Sequence, residues 1–77
     1  MEKDLISYIA KSLVDNPGSV AVNLVEGEKS TILELRVAPE DIGKVIGKHG
    51  RIAKAMRTVL QAATARNGKH IVLEILD

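Results

Sequence analysis

Ile42-Gly43-Lys44-Val45-Ile46-Gly47-Lys48-His49-Gly50-Arg51-Ile52 is the most informative stretch of this chain. A Walker-type phosphate loop is excluded. Such a loop places four residues between its first glycine and its closing Gly-Lys-Ser/Thr. Here three separate Gly43 from Gly47, and His49 stands where a magnesium-holding hydroxyl would be needed. Two readings remain. In the plain one, Gly47 and Gly50 merely permit an elbow between two helices. In the more demanding one, they let a backbone approach a sugar-phosphate chain without a Cβ in the way. Gly50 and Arg51 open a helix, so its free N–H groups and positive dipole end face the same spot. Lys48 and Arg51 add full charge, while Ile42, Val45, Ile46 and Ile52 offer an aliphatic trough for unstacked bases.

Charge supports the second reading. The net charge is only +1 over 77 residues, but it is unevenly placed. Residues 1–40 hold four basic and seven acidic side chains, a net of −3; residues 41–77 hold seven and three, a net of +4. Lys44, Lys48, Arg51, Lys54 and Arg57 follow one another with no acid between Lys44 and Arg57. A polyanion responds to that local field more than to the total. Lys54 and Arg57 follow Arg51 at i+3 and i+6, extending a phosphate track or simply forming a solvated helix face. His49 is a further phosphate contact or a solvated loop side chain; His70 is an exposed strand residue.

Outward from the loop, helical spacing of Leu5, Ile6, Ile9, Ala10 and Leu13 predicts a helix over Glu2–Asp15, stopped by Asn16-Pro17-Gly18. Tyr8 is placed at the boundary of the core. Val20–Glu26 and Thr31–Val37 flank a charged Gly-bearing turn and form an antiparallel hairpin, with Thr31, Leu33, Leu35 and Val37 on one side. Pro39 opens a short helix through Ile46, Arg51–Arg66 is a longer one with Met56 as core filler, and Asn67-Gly68 stops it. His70–Leu76 is a last strand with Ile71, Leu73 and Ile75 on one face. The expected fold is α+β in the order α-β-β-α-α-β, with a three-stranded mixed sheet ordered one-two-three and three helices on one face. Residues 1–77 are expected to form one complete domain without tails.

The pattern Ile-Gly-Lys-Val-Ile-Gly-Lys-His-Gly-Arg-Ile resembles the signature of KH domains, whose G-x-x-G loop clamps about four backbone nucleotides. The element order resembles the type II arrangement. Val14-Asp15-Asn16-Pro17 and Ala38-Pro39-Glu40-Asp41-Ile42-Gly43 are similar to the small stand-alone bacterial KH-domain RNA-binding proteins, and the resemblance covers the whole chain. It implies that Gly47, Lys48, His49 and Gly50 are the phosphate clamp. It further implies single-stranded RNA as ligand, a role as RNA chaperone or post-transcriptional regulator, and pairing as a homodimer or with a larger KH-containing RNA-binding protein. The candidate RNA-binding set is Ile42, Gly43, Lys44, Val45, Ile46, Gly47, Lys48, His49, Gly50, Arg51, Ile52 and Lys54.

Other functions are poorly served. There is no cysteine and there are only two histidines, so no structural metal site is expected. No nucleophile–base pair or cofactor motif stands out, so no enzyme, cofactor or small-molecule substrate is expected. Tyr8 is the only aromatic, which leaves nothing on which to stack successive bases. No apolar run approaches a membrane span of ~20 residues, and the N-terminus lacks a secretion signal, so a cytoplasmic protein is expected. Single-stranded DNA remains open, because only a 2′-OH contact separates the two. An alternative is an interaction module in which RNA binding is secondary. Ala55, Val59, Ala62 and Ala63 widen the apolar arc of the long helix to roughly 180°, beyond what one core face needs. Val25, Ile32 and Val72 on the outer sheet face are the other candidate for pairing.

Overall fold

A computed structural model describes residues 2–65, Gly68 and residues 70–76. Helix α1 (Glu2–Leu13) has Glu2 and Asp4 in its first turn and Lys11 in its last, the arrangement its dipole favours. It ends two residues before the expected Asp15. The N–H of Val14 still bonds the Ala10 carbonyl at 3.2 Å, whereas those of Asp15 and Asn16 turn to the Asp41 carboxylate. Pro17 then heads a 3-10 turn, Pro17–Ser19, rather than only breaking the helix. Tyr8 is a correction: it is 72% exposed. It lies two residues from each of the buried Ile6 and Ala10, which at 100° per residue places it on the opposite face.

Strands β1 (Ala21–Glu26) and β2 (Thr31–Arg36) pair antiparallel, with the Gly27 N–H bonded to the Ser30 carbonyl at 2.8 Å in the turn. Strand β3 (Ile71–Leu76) pairs parallel to β2, and the sheet order is β1-β2-β3. The crossover between them comprises the 3-10 turn Pro39–Asp41, α2 (Ile42–Ile46), a 3-10 turn at Lys48–Gly50, and α3 (Arg51–Thr64). The expected end of α3 at Arg66 and the stop at Asn67 lie outside the described residues. Gly68 has the left-handed φ of 66° that such a stop requires.

The alternation read from the strands is realised. Leu33 and Leu35 are wholly buried, as is Leu73 nearly so, with Ile71 beside them and Ile75 half-buried. The three helices cover this one face. Ile6 and Ala10 of α1, Val45 of α2, and Ala53, Met56 and Leu60 of α3 close the core. Thr64 completes the buried stripe of α3, satisfying its hydroxyl by donating to the Leu60 carbonyl at 2.8 Å.

Candidate nucleic-acid interface

Helix α2 has two contrasting ends. At its start the Asp41 carboxylate is fully buried and receives the N–H groups of Asp15 (3.3 Å) and Asn16 (3.0 Å). The Lys44 ammonium lies 3.3 Å from Asp41 Oδ1 and 3.1 Å from Asp15 Oδ2. Burial pushes the Asp41 carboxyl up, but the amides of Asn16 and Asp15 and the Lys44 ammonium together hold it below its ordinary value. Lys44 is held above its ordinary value by its bonds to Asp15 and then Asp41. The knot ties the segment after α1 to α2 and so fixes where α2 delivers the loop. The sequence marks Asp41 only as a helix start, and the two amides it accepts from lie 25 and 26 residues away.

The other end of α2 is open. Gly47 N–H bonds the Gly43 carbonyl at 2.9 Å and Gly50 N–H bonds the Gly47 carbonyl at 3.1 Å, closing a tight turn. Gly47, His49 and Gly50 all have positive φ, at 78°, 58° and 74°. Such a conformation is uncommon for a histidine and costs free energy that the surrounding bonds must hold in place. A Cβ at Gly47 would stand 2.6 Å from Ile52 Cγ1 and 2.9 Å from the Ile52 backbone nitrogen. Gly47 is therefore required by the protein's own packing, because Ile52 sits on the loop backbone. A Cβ at Gly50 would meet nothing within 4 Å; that side is open, as the close-approach reading requires.

Gly50 is also the N-cap of α3, and no side chain caps that end. The Arg51 N–H is taken by the Lys48 carbonyl, while no side chain caps the first-turn N–H groups that follow it at the positive end of the dipole. Lys48, His49, Arg51 and Lys54 are exposed around it. Among the described residues none of these is in an ion pair, in contrast to Lys44. Arg57 is partly engaged: its guanidinium donates to the Leu73 carbonyl of edge strand β3 at 3.4 Å.

The aliphatic quartet divides. Val45 is a correction, because it is 0% exposed and belongs to the core, so it cannot line a surface trough. Ile46 is 36% exposed, Ile42 and Ile52 are half-buried against the core, and Gly43 is open. A five-residue helix gives too few positions for its inward side to be chosen from spacing alone. A cavity of about 300 Å³, lined by Glu26, Glu28, Lys29, Thr31, Gly68 and His70 among others, lies elsewhere, at the hairpin turn. That is the end of β2 away from α2.

The element order, the mixed three-stranded sheet and the glycine-bounded turn between two helices define a type II KH domain. The family described as KhpA/KhpB, KH domain, matches residues 3–75. RNA-binding protein KhpA of Clostridium perfringens is 62% identical over 74 residues, covering 96% of this chain and 99% of that one. The protein of the same name from Borreliella burgdorferi is 57% identical over 76 residues, covering 99% and 93%. That of Aquifex aeolicus is 55% identical over 75 residues, covering 97% and 95%. This chain belongs to the KhpA/KhpB family of KH domains. An Era variant of Aquifex aeolicus crystallised with GDP and AlF4- shares the fold, with a TM-score of 0.64 at 22% identity. The match covers 96% of this chain but spans only 29% of that one. No helix among the described residues is long and apolar enough to cross a membrane.

Proposed function

We propose that this protein binds single-stranded RNA without catalysis, holding the sugar-phosphate backbone at Gly47, Lys48, His49 and Gly50. Its relatives bear the name RNA-binding protein. The observation that carries the reading is the uncapped start of α3, ringed by unpaired cations and open at Gly50. Arg51 and Lys54 extend the backbone contact, and Ile46, Ile42 and Ile52 with the open Gly43 form the apolar side against which bases rest. Lys44 takes part through position, since its charge is already matched by two carboxylates. Lacking stacking aromatics, a single groove of about four nucleotides gives modest affinity. A cytoplasmic RNA chaperone or regulator working as a dimer, or with a larger KH-containing partner, raises it through effective concentration. The exposed part of the α3 arc, Ala55, Val59, Ala62 and Ala63, supports a helix-face pairing; Val59 is 42% exposed.

Lys48→Asp with His49→Asp tests the clamp. The double variant should keep the wild-type circular dichroism and lose RNA binding; a folded variant with wild-type affinity would overturn the assignment. For pairing, Ala62→Glu should give a folded monomer with weakened RNA binding. A wild-type chain that sediments as a monomer, with and without RNA, would leave only a different partner chain.

A further inference from the structure

The outer face of the sheet, turned away from all three helices, is organised in rows across the strands. The pairing register places Val25 beside Ile32 and Ile32 beside Val72. Val25 is 42% and Val72 38% exposed, and Ile32 is half-buried. The next row, two residues along each strand, is Asn23, Glu34 and Glu74. Glu34 and Glu74 are direct cross-strand neighbours, a placement that costs stability when both are charged. The Asn23 amide reaches Glu34 at 3.4 Å, yet among the described residues neither glutamate is in an ion pair. Arg36 stands one row further and pairs with neither.

An apolar row flanked by an uncompensated acidic row selects its partner by charge. RNA and an anionic lipid surface are repelled by it. A second copy meeting this face about a two-fold axis along the strands would set its own Glu34 and Glu74 against the same residues, which disfavours that self-pairing. A basic amphipathic helix fits. Three neighbouring strands span about 10 Å, and helical positions i, i+4 and i+7 also span about 10 Å. A helix crossing the strands therefore sets three apolar side chains over Val25, Ile32 and Val72. Lysines or arginines along its flank then lie over a row about 7 Å away, that of Glu34 and Glu74. The geometry points to a second docking surface on this chain, one that takes a Lys/Arg-flanked amphipathic helix from another protein while the Gly47–Gly50 side remains free.

The test is titration of isotope-labelled protein with a synthetic alanine-based helix carrying leucines at i, i+4 and i+7 and lysines along one flank. Amide shifts should concentrate on residues 23–25, 32–34 and 72–74 and leave residues 47–54 unmoved. Glu34→Gln with Glu74→Gln should weaken the peptide about fivefold, the size expected for two exposed ion pairs, and leave RNA affinity unchanged. Val72→Ser should weaken it independently of salt. The proposal fails if the peptide does not bind at millimolar concentration, or if a peptide with serines for the leucines binds equally well. It fails equally if the shifts map to α3 or to the loop. Sedimentation of the glutamine variant supplies the remaining arm: self-association changed by these substitutions would assign the face to a second copy and overturn the proposal.

Discussion

The two ends of α2 are separated by about one and a half helical turns and behave oppositely. At Asp41 and Lys44 every charge has a partner within the chain: two backbone amides and an ammonium for one carboxylate, two carboxylates for one ammonium. At Gly47–Arg51 the backbone is held in unusual conformations, the helix end is uncapped and the cations stand alone. Charges matched inside the molecule hold the fold, and charges left unmatched are available to a ligand. Lys44 and Arg51 look equivalent as members of a basic run, yet they fall on different sides of that division.

The largest expected effect lies within the loop itself and separates its two glycines. Gly47→Ala forces a Cβ into Ile52 on top of a left-handed φ, so a loss of about 3 kcal/mol or more of stability is expected. Gly50→Ala meets open space and carries only the conformational cost, about 1 kcal/mol. Urea unfolding of the two variants measures the difference. Equal losses would mean that Ile52 does not hold the loop.

Acid comes next and addresses the closed end. The Asp41 carboxyl is held below its ordinary 3.8, so its contribution is present above that pH and is lost as pH falls through the lower folded value. Lys44 is held above its ordinary 10.5, so its contribution is complete below that pH and is lost only as pH rises through the higher folded value. The knot is therefore intact across the neutral range. Wild-type stability should drop below about pH 4. Asp41→Asn should be less stable at pH 7 and show a smaller drop in acid, as measured by thermal unfolding across pH. Parallel curves for the two proteins would show that the buried carboxylate does not stabilise the fold.

Much of this fold was legible because strands expose their faces by alternation. The inward row of Leu33, Leu35, Ile71 and Leu73 and the exposure of His70 follow from period two alone. The glycine-bounded loop and its basic surroundings are equally visible in order of residues. What was not legible depends on meetings between distant residues. The Asp15–Lys44–Asp41 knot joins segments that the hairpin separates, and the role of Gly47 depends on a side chain five residues ahead that folds back over it. Val45 went astray for a different reason: one turn and a half of helix carries no repeat from which an inward face can be chosen. Tyr8 could have been placed correctly, since its 200° offset from Ile6 already points it to solvent.

The salt dependence of RNA binding sharpens the contrast between Lys44 and Arg51. Single strands lose about 0.7 in log–log slope for each phosphate contact removed, and four contacts predict a slope of roughly −3. Arg51→Gln should flatten it by about 0.7, whereas Lys44→Gln should lower stability and leave the slope as it was. A change of slope for Lys44→Gln would return that side chain to the phosphate track.

The smallest effect concerns the stability of α3 alone, and its sign is the informative part. Arg51 is the first residue of that helix, and there is no acid in its first turn. A cation at the positive end of a helix dipole is unfavourable, in contrast to Glu2 and Asp4 at the start of α1. Replacing it by an acid should stabilise the protein by about 0.3–1 kcal/mol, an amount that shrinks as salt is added. The same change places a negative charge where the phosphate is proposed to sit, so Arg51→Glu should be the more stable protein and the weaker RNA binder. Urea midpoints at low and high salt, read beside RNA affinity, measure both. If Arg51→Glu is less stable than wild type, Arg51 makes a structural contact that outweighs the dipole, and its charge belongs with that of Lys44 on the closed side of the division.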